Sequence, residues 1–339
     1  MKNALYVRRR LLLNATLLIA VSATFSGATA QKPSGSAANP VANWPTKPIK
    51  LIVGFPGGST PDMAARSLAE PLSRALGQPV VVENRPGASG NIAADAVAKA
   101  SDDHTFGVLI NGNLTSAKML YSKLPYDPAK DFSLISLLTT APLVLVTTPD
   151  QPDGIAFFDA ARNGADKWNY GSVGVGSVGH LGMEYLKLKV GSVSAVHVPY
   201  AGNPAVVTGM LGGQIQMALM PPGVAMPQVK AGKLKAIGVT SSGRSTLVPE
   251  LPPLSDAGLR GFELEVWTAL VGPANLSALA QARLSSEVPK IIKQDDTRQR
   301  LFNQGWRAVG STPQVLQARV KSELSIMGGI IAMRNIKVE

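Results

Sequence analysis

Few residues in this chain can carry covalent chemistry. Cysteine is absent, which removes thiolate catalysis, disulfides and thiolate metal sites. The three histidines, His104, His180 and His197, show no ligand spacing, so neither a metal nor another cofactor is expected. Ser59, His180 and an aspartate would supply the residue types of a hydrolytic triad, but no Gly-x-Ser-x-Gly elbow accompanies them. What recurs instead is a polar, glycine-rich turn between an apolar run and a helix start. Such a turn aims backbone N–H groups out of the positive end of a helix, which is chemistry for holding a phosphate or a carboxylate.

The leading example is the stretch Phe55-Pro56-Gly57-Gly58-Ser59-Thr60-Pro61-Asp62, which follows the branched run 49–53. The run reads as a buried strand. Thr60 reads as the N-cap, Pro61 as the first helical residue and Asp62 as first-turn acid. Gly57 and Gly58 permit a close approach of ligand to backbone. A second turn, Asn111-Gly112-Asn113-Leu114-Thr115, offers amides and a hydroxyl at a strand end, where open α/β sheets place ligands. A third, 174–179, spells Gly-x-Gly-x-x-Gly. No acid ends the following strand, so a dinucleotide site is not expected. Gly176, Ser177 and Gly179 nevertheless open a helix and form a second cradle of backbone N–H groups, with His180 in its first turn as either a donor to a bound carboxylate or a capping or packing residue. The fourth is 198–204, where Tyr200 precedes Asn203 as N-cap and Pro204 as first helical residue.

The elements that must position these turns alternate. Strands over 49–53, 79–83 and 105–110 are separated by helices over 61–76 and 91–100, the pattern of a parallel sheet covered on both faces. Ala65, Leu68, Leu72 and Leu76 share the buried stripe of the first helix, and Pro71 is expected to kink it. Near residue 127 the rhythm changes, and a second set follows with strands over 143–148, 193–198, 216–220 and 234–239. Helices over 277–292, 295–304 and 312–326 close the chain, the last broken by Gly328-Gly329. The domains are therefore read as 46–126, 127–230, and 231–339 returning to complete the first with crossing segments and C-terminal helices.

Composition bounds the rest. Of 339 residues, 45% are apolar, enough for two domains. Residues 1–30 read as a secretory signal, with Lys2, Arg8, Arg9 and Arg10 before an apolar run and Ala28-Thr29-Ala30 at its end. Arg9-Arg10 leaves the general and twin-arginine routes both open. Residues 31–45 read as a flexible leader. Without the signal, 29 basic residues face 22 acidic ones, a charge of +7. No basic stripe with interleaved aromatics is present, so no nucleic-acid partner is expected, and the surface suits small anions.

Six blocks carry a family resemblance: Phe55-Pro56-Gly57-Gly58-Ser59 with Asp62, Ala65 and Arg66; Val82-Glu83-Asn84-Arg85-Pro86-Gly87-Ala88; Leu124-Pro125-Tyr126-Asp127; Asn169-Tyr170-Gly171-Ser172; His197-Val198-Pro199-Tyr200; and Gly232-Lys233-Leu234-Lys235-Ala236. From about Trp44 to the C-terminus the chain resembles the Bug family, periplasmic solute-binding proteins related to tripartite tricarboxylate transporter receptors. The resemblance implies an α/β, two-lobed, Venus-flytrap fold that is monomeric and periplasmic. It implies a small organic carboxylate as ligand, one carboxylate on the loop Gly57-Gly58-Ser59, in part through ordered water. The rest would meet the loop around Gly176, Ser177 and His180 and the turn from Tyr200 to Asn203. It also implies a two-component membrane permease as partner, with a sensor kinase as the alternative. An exported hydrolase is the less favoured reading.

Two departures stand out. Relatives carry acids at the positions of Gln216 and Met220, and an acid near the cleft would pair with an ammonium group. Its absence at Met220 points away from an amino acid and toward a plain or apolar carboxylate. Pro61 stands where relatives often run Ser-Thr-Asp, which is expected to shift the helix start.

Overall fold

A computed structural model describes residues 43–164, 168–191 and 193–337. The expected signal and most of the expected leader lie outside the described residues. The strands are β1 (Ile49–Val53), β2 (Val80–Asn84), β3 (Thr105–Ile110), β4 (Phe132–Pro142), β5 (Val144–Thr147), β6 (Asn169–Ser172), β7 (Val196–Pro199), β8 (Met217–Met220), β9 (Lys235–Val239), β10 (Glu265–Pro273) and β11 (Arg307–Ala308). The helices are α1 (Thr60–Leu76), α2 (Asn91–Ala98), α3 (Asn111–Leu114), α4 (Ala117–Leu120), α5 (Gly154–Gly164), α6 (Val178–Val190), α7 (Asn203–Leu211), α8 (Pro222–Lys230), α9 (Ala278–Lys293), α10 (Asp295–Asn303) and α11 (Pro313–Arg334).

Two sheets make two lobes. The first runs β11-β4-β10-β3-β1-β2 and the second β7-β6-β8-β5-β9. Each contains the same unit. In lobe 1, β2 and β3 flank β1 in parallel and β10 adds antiparallel. In lobe 2, β7 and β8 flank β6 in parallel and β5 adds antiparallel. Parallel neighbours need a crossover, and helices supply it. Six helices, α1 to α3 and α6 to α8, therefore begin at or near the carboxyl ends of parallel strands, where such sheets bind ligands.

The lobe boundary differs from the expected one. β4 lies inside the segment expected to be the second domain, yet it pairs with β10 and β11 of the first sheet. β9 lies beyond that segment, yet it pairs with β5. Apolar runs identify strands but not the sheet that recruits them. The crossing from β4 to β5 takes only Leu143. The return, between β9 and β10, is tied to it by Thr240, whose Oγ1 accepts from the Leu143 amide at 2.8 Å and donates to the Leu264 carbonyl at 2.6 Å. The side chains of Arg334 at the end of α11 and Glu184 on α6 form a further tie, with Arg334 Nε donating to Glu184 Oε2 at 2.8 Å.

Helix α1 shows how the sequence builds the cleft wall. Ala65, Leu68 and Leu72 are fully buried against β1 and β3, with Leu51, Val53, Phe106 and Val108 beneath. Each such leucine contributes roughly 2 kcal/mol by burial. Its N-cap is Ser59 rather than the expected Thr60, and Pro61 sits within the first turn. The helix continues through Pro71 and stops at Gly77 in the left-handed region, φ 71°. The N-cap of α7 is likewise Gly202, one residue before the expected Asn203. The last helix also departs from expectation. α11 runs on through Gly328-Gly329 and ends at Asn335, φ 48°. Packing outweighs the cost of about 1 kcal/mol per helical glycine, with Met327 and Ile330 buried on either side.

Candidate functional site

The N-termini of α1 and α6 meet across the gap between the lobes. Around them lies a cavity whose walls come from both lobes. Ser59, Thr60 and Pro61 begin α1, Asn111 begins α3, Ser177, Val178 and Gly179 begin α6, and Asn203 begins α7. The floor is apolar, with Leu143 on the crossing from β4 to β5, Val266 in β10, and Phe55, Ile110, Val173 and Leu219 beside them. No charged side chain lines it. The first amides of a helix have no intrahelical acceptor, and two helix ends carry about half a positive charge each. The site is therefore electropositive through backbone alone.

Two buried polar atoms support a ligand role. Ser59 is 2% exposed and its Oγ has no hydrogen-bond partner; Asn111 is 0% exposed and its Oδ1 has none. Unpaired buried polar atoms are costly, and these two belong to residues that line the cavity.

The lobes are closed on each other. Asn203 Nδ2 donates to Thr60 Oγ1 at 3.0 Å across the gap, Ser116 Oγ donates to the Gly176 carbonyl at 2.6 Å, and Tyr121 Oη donates to the Val175 carbonyl at 3.2 Å. The volume open to the centre of a water-sized sphere is about 40 Å³, room for a few waters. An organic ligand needs the lobes further apart to enter. A larger groove, about 550 Å³, lies behind the crossing segments and is lined by Arg244, Arg307, Arg319 and glutamates. It lacks the facing helix ends.

The structure brings Phe55, Ser59, Asn111, Ser177 and Asn203 to the cavity and gives the other candidate residues different work. Gly57 and Gly58 are exposed and do not line it. Gly58, at φ 75°, donates its amide to Asp62 Oδ2 at 2.9 Å, so that donor is already used. Asp62 also holds Arg66 Nε at 3.0 Å and Asn84 Nδ2 at 2.9 Å. Burial raises its pKa, but the bonds from Arg66, Gly58 and Asn84 outweigh it and hold the carboxyl below its ordinary value. Asp62 fixes the loop rather than touching the cavity. Asn113 Nδ2 donates to Asn91 Oδ1 at 2.9 Å and the Ser89 carbonyl at 3.0 Å, and Thr115 Oγ1 donates back to the Asn111 carbonyl at 2.7 Å. Both brace the short helix α3.

In lobe 2, Ser177 caps α6, its Oγ accepting from the His180 amide at 3.3 Å. His180 Nδ1 accepts from the Gly176 amide at 3.2 Å, which leaves the neutral ring's proton on Nε2. Its ring stacks on His197 at 4.1 Å, and His197 Nε2 lies 2.7 Å from Ser172 Oγ. Burial pushes His180 down to about 4; burial and the adjacent His180 push His197 down to about 3. His180 Nδ1 thus supports the loop, and the residue does not line the cavity. Gly176, at φ 82°, serves the same loop. Tyr200 faces away, toward Gly209 and Gln214, with its Oη donating to Gln214 Oε1 at 3.2 Å. Met220 is buried in the lobe 2 core and Gln216 braces Asn169, so neither marks the cleft.

Sequence reasoning missed Val178 and the supporting residues Glu323 and Trp267, and it placed Thr60 and Gly179 at helix starts without counting them as site residues. Thr60 was legible as a helix start. Glu323 lies over 200 residues from Asn111, and nothing local signals their contact.

Among the described residues no group of His, Cys, Asp or Glu could hold a metal, and no helix is long and apolar enough to cross a membrane.

Comparisons with known proteins show the family and the fold. A family model for the tripartite tricarboxylate transporter family receptor matches residues 64–336. BugT of Bordetella pertussis is 30% identical over 335 residues, covering 96% of this chain and 100% of BugT. MatC from Rhodopseudomonas palustris, solved with bound malate, superposes with a TM-score of 0.80 at 31% identity, covering 85% of this chain and 100% of MatC. A second R. palustris protein, solved with adipate, gives a TM-score of 0.83 at 30% identity over 87% of this chain and 99% of its own. The fold is the two-lobed fold of periplasmic binding proteins. The chain belongs to the tripartite tricarboxylate transporter family of solute-binding receptors, as its motifs implied.

Proposed function

We propose that this chain is a periplasmic receptor that closes its lobes on a small dicarboxylate and passes it to the membrane permease of a tripartite system. The observation that carries the reading is the cavity itself. Two helix N-termini face each other across an uncharged, apolar-floored space that holds the unpaired Ser59 Oγ. Two negative groups joined by a short carbon chain complement that pattern. The ligands in the similar R. palustris structures, malate and adipate, have this form. The lining offers no nucleophile with an adjacent base, and the family is one of receptors. The reading is tested by calorimetric titration of the purified protein with aliphatic dicarboxylates of increasing length. One-to-one binding with a matching rise in melting temperature supports it. A folded protein that binds none of them refutes it.

A further inference from the structure

Asn111 stands apart from the unpaired Ser59 hydroxyl because its free atom, Oδ1, can only accept. Its Nδ2 donates to Glu323 Oε1 at 2.5 Å and to the Glu265 carbonyl at 3.3 Å. Both partners are acceptors, so the amide cannot be turned the other way without setting oxygen against oxygen. Both amide protons are used, and Oδ1 remains, buried and without a partner. Glu323 is itself held in place. It is 4% exposed, accepts from Trp267 Nε1 at 2.5 Å, and lies 3.5 Å from Arg319 Nε. A hydrogen bond from one side of an amide polarises the carbonyl on the other side and strengthens it as an acceptor. A carboxylate oxygen placed against such a carbonyl would be repelled. A hydroxyl would satisfy it.

Resting on the receptor reading above, we infer that Asn111 selects a hydroxylated dicarboxylate over the plain chain of equal length, and that Glu323 is the positioning residue that fixes its carbonyl toward the ligand. The helix ends of α1 and α6 take the carboxylates, and Asn111 takes the hydroxyl between them. A buried acceptor left unpaired by the plain chain is the source of discrimination.

The test titrates the full chain with matched pairs: succinate and malate, glutarate and hydroxyglutarate, adipate and hydroxyadipate, with both enantiomers of each hydroxy acid. The hydroxylated member of the best-bound pair is expected to bind at least about tenfold tighter. Asn111→Ala should bring that ratio to about one by weakening the hydroxylated member. Glu323→Gln, which lets the amide turn, should lower the ratio more than it lowers affinity for the plain chain; a merely structural role would weaken both alike. Should a variant fail to fold, the wild-type ratio alone decides. Equal or tighter binding of the plain chain overturns the inference and leaves the receptor reading standing. Binding of neither member of any pair overturns both.

Discussion

Asp62 offers a test of how the cleft wall is held. Replacing it with alanine removes the carboxylate that accepts from the Gly58 amide, Asn84 and Arg66. Arg66 is 56% exposed on its side chain, so its ion pair is screened and contributes little. The bonds from Gly58 and Asn84 reach a carboxylate that is only 3% exposed. Each is worth roughly 1.5–3 kcal/mol. Asn84 keeps a second acceptor in the Phe55 carbonyl at 2.8 Å, which favours the low end, about 3 kcal/mol in all. At about 2 °C per kcal/mol for a protein of this size, melting should fall by about 6 °C at neutral pH. The pH dependence follows from the depressed carboxyl. Its contribution is present above the unfolded-state value of 3.8 and is lost as pH falls through the lower folded value. The gap between wild type and Asp62→Ala should therefore shrink in thermal melts below about pH 4. A drop under about 1 °C at neutral pH, or a gap that persists unchanged in acid, would refute the reasoning.

Other outcomes follow from single contacts. Ser59→Ala removes an oxygen with no internal partner, so melting should hold while dicarboxylate affinity falls about tenfold by calorimetry. Gly223 on α8 faces the loop after α10, and a Cβ there would lie 1.8 Å from the Gln304 carbonyl. Gly223→Ala should hold the lobes apart, seen as a larger radius by small-angle scattering with ligand present. His180 is neutral when folded and depressed to about 4, so the unfolded chain takes protons first as pH drops below 6.5. Stability should fall between about pH 6.5 and 4, by roughly 3 kcal/mol from this residue; flat melting temperatures across that window would contradict the burial of its ring.

The alternating elements of lobe 1 were legible because strand, turn and cap signals are local. β3 was expected at 105–110 and found there; the branched run before Phe55 likewise became β1. The turns before α1, α6 and α7 read as helix starts and are so, while the turn at Asn111, read only as a turn, opens α3; Ser59, Ser177 and Asn203 line the cavity. What failed needed tertiary information. Asp62, His180 and Thr115 have the chemistry of ligand residues, but Asp62 is held by Gly58, Asn84 and Arg66, His180 Nδ1 by Gly176, and Thr115 by the Asn111 carbonyl. A sequence shows that a donor exists, and only coordinates show that it is already engaged. The sheet that claims β4 and β9 was hidden for the same reason, since pairing to β10 and β5 joins segments distant in the chain. The persistence of α11 through two glycines reflects packing against the lobes, which propensity alone does not register.

The most direct test of the central claim is native mass spectrometry of the wild type and the Ser59→Ala variant with aliphatic dicarboxylates. Wild type should form a one-to-one complex that persists at low micromolar ligand and is clearly weakened in the variant. A folded wild-type protein that forms no such complex, or a complex untouched by the loss of the Ser59 hydroxyl, would contradict it.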